Sequence, residues 1–497
     1  MKSQRKQSVN NNPELKTRTP VGFTRRDIMR CAALAAGANL VWSRSSYAAD
    51  KPEGRTGTIS FQREIPVRHE VDVMVAGGGP AGLAAAIIAA RQGRKVFLAE
   101  GQTSFGGMGT AGLIPVFMPF GNGKDFLAAG FGKEVYDKLF DAGGTGPDDK
   151  RGTLGCVCIQ AEVLKRVYDA MVVETGMAFS FQTQVIGVEV KDGQVTHAIC
   201  QGKSGLFAVA AKVFVDGTGD GDLAAWAGAP FEKGDAEGNM MPGTLCSLWA
   251  GVNWSEVRKS GLNAERELQR AFTDKVFSVE DRHLPGMFRV GTAIGGGNIG
   301  HAFGVDSTDE RSVTKALIDG RKRLLEYELY YKKYLKGFEE MVLLSTGSLL
   351  GVRESRRIMG EYVLCLEDFK KRAVFEDEIG RFSYPVDIHA SRPDAKDFEK
   401  FEKEFRLLRY GKGESYGIPF RTLIPKKVNN LLVTGRCISS DRYIQGSVRV
   451  MPGCYITGQA AGMAAAMAIE KSTSIRQVAV PELQKRLKTI GAFLPNA

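Results

Sequence analysis

The sequence predicts an α/β fold, a buried and largely parallel sheet assembled from distant parts of the chain and interrupted by an inserted α+β region. Three stretches predict it. Residues 70–101, EVDVMVAGGGPAGLAAAIIAARQGRKVFLAEG, read as strand, glycine-rich turn, helix, strand and closing carboxylate. Residues 213–230, VFVDGTGDGDLAAWAGAP, repeat the strand–turn–helix order. Residues 430–470, starting NLLVTGRCISS, bring back an apolar strand late in the chain, followed by a helix starting near Pro452. A chain of 497 residues, 43% hydrophobic and 25% charged, is ordinary for a globular protein of two or three domains.

The first 48 residues read as a targeting segment. TRRDIMR (24–30) precedes the short, weakly apolar CAALAAGANLVW (31–42), which is too short to span a membrane. Ser46 and Ala48 make a small-x-small exit, so Ala48 is the expected last residue removed. Paired arginines, a mild apolar region and that exit are the parts of a twin-arginine export signal, and they predict a periplasmic or other extracytoplasmic protein. Ile28 and Met29 stand where such signals usually carry Phe and Leu. Removing 1–48 leaves 58 basic and 54 acidic residues, so the formal charge of +11 falls to +4. Basicity is largely a property of the signal, and nothing points to nucleic acid. Residues 49–69 read as a linker.

The first unit, 70–101, is mechanically complete. Val71–Ala76 is a strand of the kind buried on both faces. Gly77 permits a tight turn, Gly79 lets backbone approach a pyrophosphate, and Gly82, with Ala81 and Ala85, lets the helix lie close to the sheet. Gly93 ends that helix, and the strand from Lys95 to Ala99 ends in Glu100, placed to accept hydrogen bonds from ribose hydroxyls. The helix start near Ala81 faces the diphosphate. This is a Rossmann-like dinucleotide unit. Gly106, Gly107, Gly109 and Thr110 follow at once, a second glycine loop suited to lie against a phosphate and ring system.

Two rival motifs fail on spacing. Gly295, Gly297 and Gly300 in AIGGGNIGH (293–301) also spell G-x-G-x-x-G, but only six residues separate Gly300 from Ser307. Ser307 and Glu310 form a capping-box pattern that opens the helix of 309–337. No crossover helix fits, so this is a close-approach loop carrying His301, and one dinucleotide site remains. DGTGDGD (216–222) resembles a calcium loop, but position 227, which needs an acid, is Ala. The seven cysteines after Cys31 include no C-x-x-C, so no metal or iron–sulfur cage is expected. Cys156 and Cys158 read as partly buried small residues or, alternatively, as a redox pair.

With GGGPAG, FGGMGTAG, DGTGDGDLAAWAGAPFEKG, GVRESRRIMGEY, YPVDIH, YGIPFRTLIPKKVNNLLVTGRCIS and RVMPGCYITGQAAGMAAA in view, the chain resembles the FAD-dependent oxidoreductases of the glutathione-reductase-type FAD fold. Within them it is similar to the branch related to the flavin subunit of heterodisulfide reductase. The resemblance implies FAD as cofactor. It implies that Gly77, Gly79, Gly82 and Glu100 hold the adenosine diphosphate half, and that Val185 meets adenine through its backbone. Gly107, Met108 and Thr110 would lie along the ribityl chain and ring, with Asp216, Gly217, Thr218 and Gly219 on the phosphate side. Gly435, Arg436 and Cys437 would close over the ribityl chain, and Met451, Gly453 and Gln459 would approach the pyrimidine end. A helix start near Pro452 suits that last placement, since its partial positive charge stabilises a reduced flavin.

The FAD-binding domain is thus expected from 70–230 plus 428–472, with an excursion at 116–154, a substrate or cap domain at 231–427 and a helical tail at 473–497. Flavin oxidation of a C–H bond needs a base for the proton and a cation for developing negative charge. His301, His389, Arg353 and Arg356 are the candidates, with Arg353, Arg356 and Arg357 expected on one helical face. The competing reading pairs those arginines structurally with Glu354 and Glu361. Arg449 suits a flavin phosphate, a substrate carboxylate or an aspartate. The expected activity is hydride transfer between a small organic substrate and flavin N5, with an electron acceptor of unspecified kind. The alternatives are a flavin electron carrier serving a protein partner, and a non-catalytic flavin-dependent binding protein.

Overall fold

The computed structural model describes residues 57–261, 264–283 and 286–497, and Ile59–Ala497 form one compact unit. The expected export segment lies outside the described residues. Among the described residues no helix is long and apolar enough to cross a membrane.

The frame is a seven-stranded sheet. Strand β1 (Val67–Ala76) leads through helix α1 (Pro80–Arg91) to β2 (Val96–Ala99), and β3 (Ala178–Ser180) follows much later. A meander of β4 (Gln184–Lys191), β5 (Gln194–Gly202) and β6 (Gly205–Asp216) comes next. The inserted region contributes β7 (Ser247–Ala250), β8 (Gly286–Arg289), β9 (Ile294–Asn298), helix α2 (Glu310–Tyr334) and β10 (Val342–Thr346). The chain then returns with β11 (Leu431–Val433) and helix α3 (Met451–Glu470).

In the large sheet β3, β2, β1, β6 and β11 run parallel, while β5 pairs antiparallel with the first half of β6 and β4 pairs antiparallel with β5. Register aligns the carboxyl ends: Ala76 pairs with both Ala99 and Asp216, and Asp216 pairs with Val433. Gly77, Glu100, Gly217 and Thr434 therefore emerge side by side. The chain order reverses between β1 and β6, and an α/β sheet takes its ligand at the carboxyl edge of such a point.

Helix α1 is apolar around most of its circumference, with Ala81 through Ala89 buried, so it is packed on more than one side. Helix α3 covers it, bringing small residues to the crossing. A Cβ at Gly458 would stand 2.2 Å from the Ala81 carbonyl oxygen, and one at Gly462 2.3 Å from that of Ala85. The two backbones touch, which fixes the start of α3 beside the start of α1.

The inserted strands form an antiparallel sheet in the order β8-β9-β7-β10, packed with α2 around Trp249, Tyr327, Tyr330 and Tyr331. Here the sequence expectation needs correction. The glycines of AIGGGNIGH are not a loop: Ile294–Asn298 is an interior strand. A Cβ at Gly296 would lie 2.3 Å from Pro115 Cβ, and one at Gly297 2.8 Å from Ser247 Oγ. Glycine disfavours strands by itself, but these neighbours leave no room for side chains and the ladder pairs on both sides. Helix α2 also starts later than expected, at Glu310, with the Asp309 carboxylate accepting from Arg311 N. Nor is GVRESRRIMGEY a helix. Arg356–Ile358 is a strand paired with Phe231–Lys233, so Arg356 and Arg357 face opposite ways.

Candidate functional site

The aligned strand ends open into a cavity of about 740 Å³, within the range of cofactor and ligand sites. Two helix starts point at it, α1 through Gly79, Pro80 and Ala81, and α3 through Val450 and Met451. Neither start has a side-chain cap, which leaves N–H groups and partial positive charge for an anion. Gly77 has φ +88° and its missing Cβ would strike the Gly217 carbonyl at 2.7 Å, so the turn is closed by backbone contact. Gly79 differs: a Cβ there would meet nothing within 4 Å, and so would point into the cavity. Among lining residues, Arg436 and Arg449 each keep a buried Nε without a partner. A cradle of glycines and helix starts with spare guanidinium donors fits a dinucleotide diphosphate.

Of the residues assigned to the cofactor by sequence, Gly77, Gly79, Glu100, Gly107, Met108 and Val185 line this cavity. So do Gly217, Thr218, Gly435, Arg436 and Met451. Glu100 accepts hydrogen bonds from Gly78 N and Gln102 N, both at 2.6 Å. Burial raises its pKa, against the lowering effect of those two donors. The others stand behind the wall. Gly82 lets α1 pass, since a Cβ would sit 1.9 Å from the Gly77 carbonyl. Thr110 Oγ1 donates to the Phe105 carbonyl at 2.6 Å. The buried Asp216 carboxylate accepts from Thr218 N, Thr218 Oγ1 and Ala224 N, tying the second turn to its helix. Cys437 is buried with its thiol pKa raised well above the ordinary value by burial. Gly453 lies against Phe382, and Gln459 receives a hydrogen bond from Phe131 N at 2.9 Å and donates to the Ala129 carbonyl.

At the other end the cavity is polar. His389, Arg353 and Arg449 line it, with Asp387, Tyr384 and Cys246. Arg449 Nη2 donates to Asp387 Oδ2 at 2.9 Å, and His389 Nε2 lies 3.3 Å from Asp387 Oδ1. Arg353 donates from Nη1 to the Pro242 carbonyl and Thr244 Oγ1, each at 2.9 Å. Burial, then the neighbouring Arg449, pushes Arg353 down to about 10, still protonated at neutral pH. His301 is drawn to a second cavity, of about 360 Å³, which shares His389, His283 and Asp387 with the first. His301 and His389 meet, Nε2 to Nδ1, at 3.0 Å, and the Asp281 carboxylate takes the far side of His301 at 3.1 Å. Arg356 is held elsewhere, donating to Asp222 Oδ1 at 2.6 Å. Arg357 pairs with Glu354 at 2.7 Å, whereas Glu361 pairs with Arg476.

Sequence reasoning passed over His283, Asp281, Asp387, Asp220 and Asp222. Asp387 could have been found, because in VDIH it shares a strand-like face with His389. His283 had no local signal; folding alone brings it to the others. Cys156 is exposed and Cys158 intermediate, both as free thiols, and burial first and then Asp149 push the Cys158 thiol up to about 12.

The model of the FAD-dependent oxidoreductase family matches residues 72–487. The chain belongs to that family: it is an enzyme, and FAD is its cofactor. No curated protein matches it. Among solved structures it is similar to a geranylgeranyl bacteriochlorophyll reductase-like protein from Thermoplasma acidophilum, at 13% identity over 85% of this chain and 83% of that one, with a TM-score of 0.42. It is similar to p-nitrophenol 4-monooxygenase from Pseudomonas putida, at 11% identity over 84% of each chain and a TM-score of 0.44. A third, L-proline dehydrogenase from P. horikoshii, shares 12% identity over 86% of this chain and 99% of that one, with a TM-score of 0.39. Likenesses this distant say nothing about substrate.

Two outcomes follow from this geometry. Gly79→Val places its side chain in the open cavity, at a backbone conformation any residue can adopt. It should fold as the parent does and bind FAD about tenfold more weakly or worse, a loss of about 1.4 kcal/mol or more. Flavin retention on gel filtration beside a thermal melt of the flavin-free protein checks this; equal retention contradicts it. Second, burial and then Asp220 and Asp216 push the Asp222 carboxyl up to about 6, from an ordinary 3.8, against the lowering effect of Arg356. The folded state then holds that proton more tightly than the unfolded chain. The resulting stability is complete below 3.8 and is lost as pH rises through about 6. Asp222→Asn cannot ionise, so its melting temperature should gain on the parent's between about pH 4 and about pH 7; a constant difference contradicts the shift.

Proposed function

We propose that this FAD-dependent oxidoreductase oxidises or reduces a small organic molecule that carries an anionic or ionisable oxygen. The observation that carries this reading is the continuity of one cavity, from the glycine turns to the buried His389 and Arg353 with the partly buried Asp387 and Arg449. Bound along the turns, FAD supplies a hydride acceptor or donor at N5 of its ring. The chain supplies the remainder. Arg353 and Arg449 bring two cations to one wall, and the second retains an unpartnered Nε, so a substrate oxygen gains charge-assisted donors there. His389 faces the cavity to take or return the proton that accompanies hydride transfer, with Asp387 beside it to stabilise the charged ring. Burial of Arg353 and His389 supports a substrate site over an electron carrier, whose flavin edge would lie open to a partner. His301 acts behind His389 in this reading, and Arg356 braces the second glycine turn through Asp222. The motifs GVRESRRIMGEY and YPVDIH support kinship with the branch related to the heterodisulfide reductase flavin subunit.

Replacing His389 with Ala should slow anaerobic bleaching of the flavin by substrate about 10²- to 10⁴-fold, while dithionite still reduces the flavin fully. An unchanged substrate rate would falsify the assignment.

Export in the folded state belongs to the same proposal, supported by Arg25 and Arg26 before the apolar run and the Ser46–Ala48 exit. Replacing both arginines with lysine should retain the protein, uncleaved, in the cytoplasm. Processing and release that continue unchanged would rule out the twin-arginine route.

A further inference from the structure

The junction of the two cavities holds three imidazoles: His283, His301 and His389, whose ligating nitrogens lie within 4.8 Å of one another. Their ring centroids form a near-equilateral triangle, 4.8, 4.8 and 5.0 Å on a side. Two carboxylates flank it. Asp281 Oδ1 is 3.1 Å from His301 Nδ1, and Asp387 Oδ1 is 3.3 Å from His389 Nε2.

Counting protons shows what this arrangement lacks. A carboxylate only accepts, so the Asp281 contact assigns the His301 proton to Nδ1 and leaves Nε2 as a bare lone pair. That lone pair faces His389 Nδ1 at 3.0 Å. A neutral His389 has one proton for two needs. Placed on Nε2, it satisfies Asp387 and leaves two lone pairs facing each other. Placed on Nδ1, it satisfies His301 and leaves a lone pair facing a carboxylate. Either two lone pairs or a lone pair and a carboxylate thus face each other, and a cation there would relieve the repulsion. A proton or a metal ion supplies it, and the third imidazole within reach distinguishes the two, because a shared proton needs only two nitrogens.

We propose that His283, His301 and His389 bind a divalent first-row transition-metal ion of the zinc class. Three imidazoles are a common donor set for such ions, with metal–nitrogen bonds of about 2.0–2.1 Å and one position open. Tetrahedral ligands at that bond length stand about 3.3 Å apart, so His301 and His389 are nearly in place and His283 closes in. Asp281 and Asp387 occupy the outer positions that orient ligating histidines. His301 and His389 are buried, which shields that side of the triangle from water competing for the ion. The opposing charge is Arg353, whose Nη1 is engaged by Pro242 and Thr244, while the two aspartates compensate for it. The second cavity gives an approach path, and His283 and His389 border the first, so the open position suits a substrate oxygen. The site stands apart from the flavin assignment, and its role in turnover rests on the proposed function. With an ion bound, both His389 nitrogens are engaged, by the ion and by Asp387, and the ion would instead polarise a substrate oxygen at the open position.

Flavin-loaded protein is stripped with a chelator, given Co²⁺ or Zn²⁺, desalted and analysed for metal. About one equivalent per chain should remain, and Co²⁺ should add d–d bands at wavelengths longer than the flavin's. Asp281→Asn should weaken binding about 10- to 100-fold. His283→Ala and His301→Ala should abolish it, and His197→Ala, on β5, should leave it intact. His283 is largely exposed, so its variant folds even where a change at His301 does not. Failure of the parent to retain metal, or retention unaffected by both His283→Ala and His301→Ala, overturns the proposal. If the parent retains no metal while substrate still bleaches its flavin, only the metal site falls and the cation at His301–His389 is a proton.

Discussion

Three glycine backbones in contact hold the rest of this structure in place. A Cβ at Gly82 would sit 1.9 Å from the Gly77 carbonyl, one at Gly77 2.7 Å from that of Gly217, and one at Gly217 2.8 Å from the Gly82 Cα. The first helix, the first turn and the second turn therefore meet without side chains between them. That contact brings the carboxyl ends of β1 and β6 to one edge, and β2 and β11 join through register. Helix α3 then lies on α1 by the same means, through Gly458 and Gly462 against the carbonyls of Ala81 and Ala85. The cavity is what lies beyond these contacts, and its glycine-lined floor follows from how the strands were joined.

The polar end has a different logic. Charged groups taken out of water need partners, and the cavity wall supplies them: Arg449 pairs with Asp387 and Arg436 with Asp220, while the Asp281 carboxylate faces His301 Nδ1. The remaining spare donors are few. Among the residues that line the cavity they comprise the unpartnered Nε atoms of Arg436 and Arg449 and the incompletely satisfied imidazole group. In a wall otherwise so fully paired, those atoms mark where a ligand completes the arrangement.

Much of this was legible in the sequence because it depends on local rules. The turn at Gly77, the helix that stops at Gly93, the carboxylate at Glu100 and the late strand and helix each follow from a few adjacent residues, and the structure has all of them. What was not legible depends on distant packing. The run at Gly295–Gly297 looked like a loop, because only Pro115, Ser247 and their neighbours explain why a strand should lack side chains. The arginines of GVRESRR suggested a helical face, yet strand pairing with Phe231–Lys233 decides their directions. His283 gave no signal at all, being 18 residues from His301 and 106 from His389. His301 could be singled out by sequence, but its turn away from the glycine cleft toward Asp281 could not.

The central claim is that one FAD lies across the aligned strand ends with its ring at the His389–Arg353 end. A crystal structure of the FAD-loaded protein measures this directly. The account predicts a single flavin, its diphosphate at Gly79 and the start of α1, and its N5 within about 6 Å of a His389 or Arg353 nitrogen, the span of one bridging water. A ring turned away from that wall, or a flavin bound elsewhere on the chain, would contradict it.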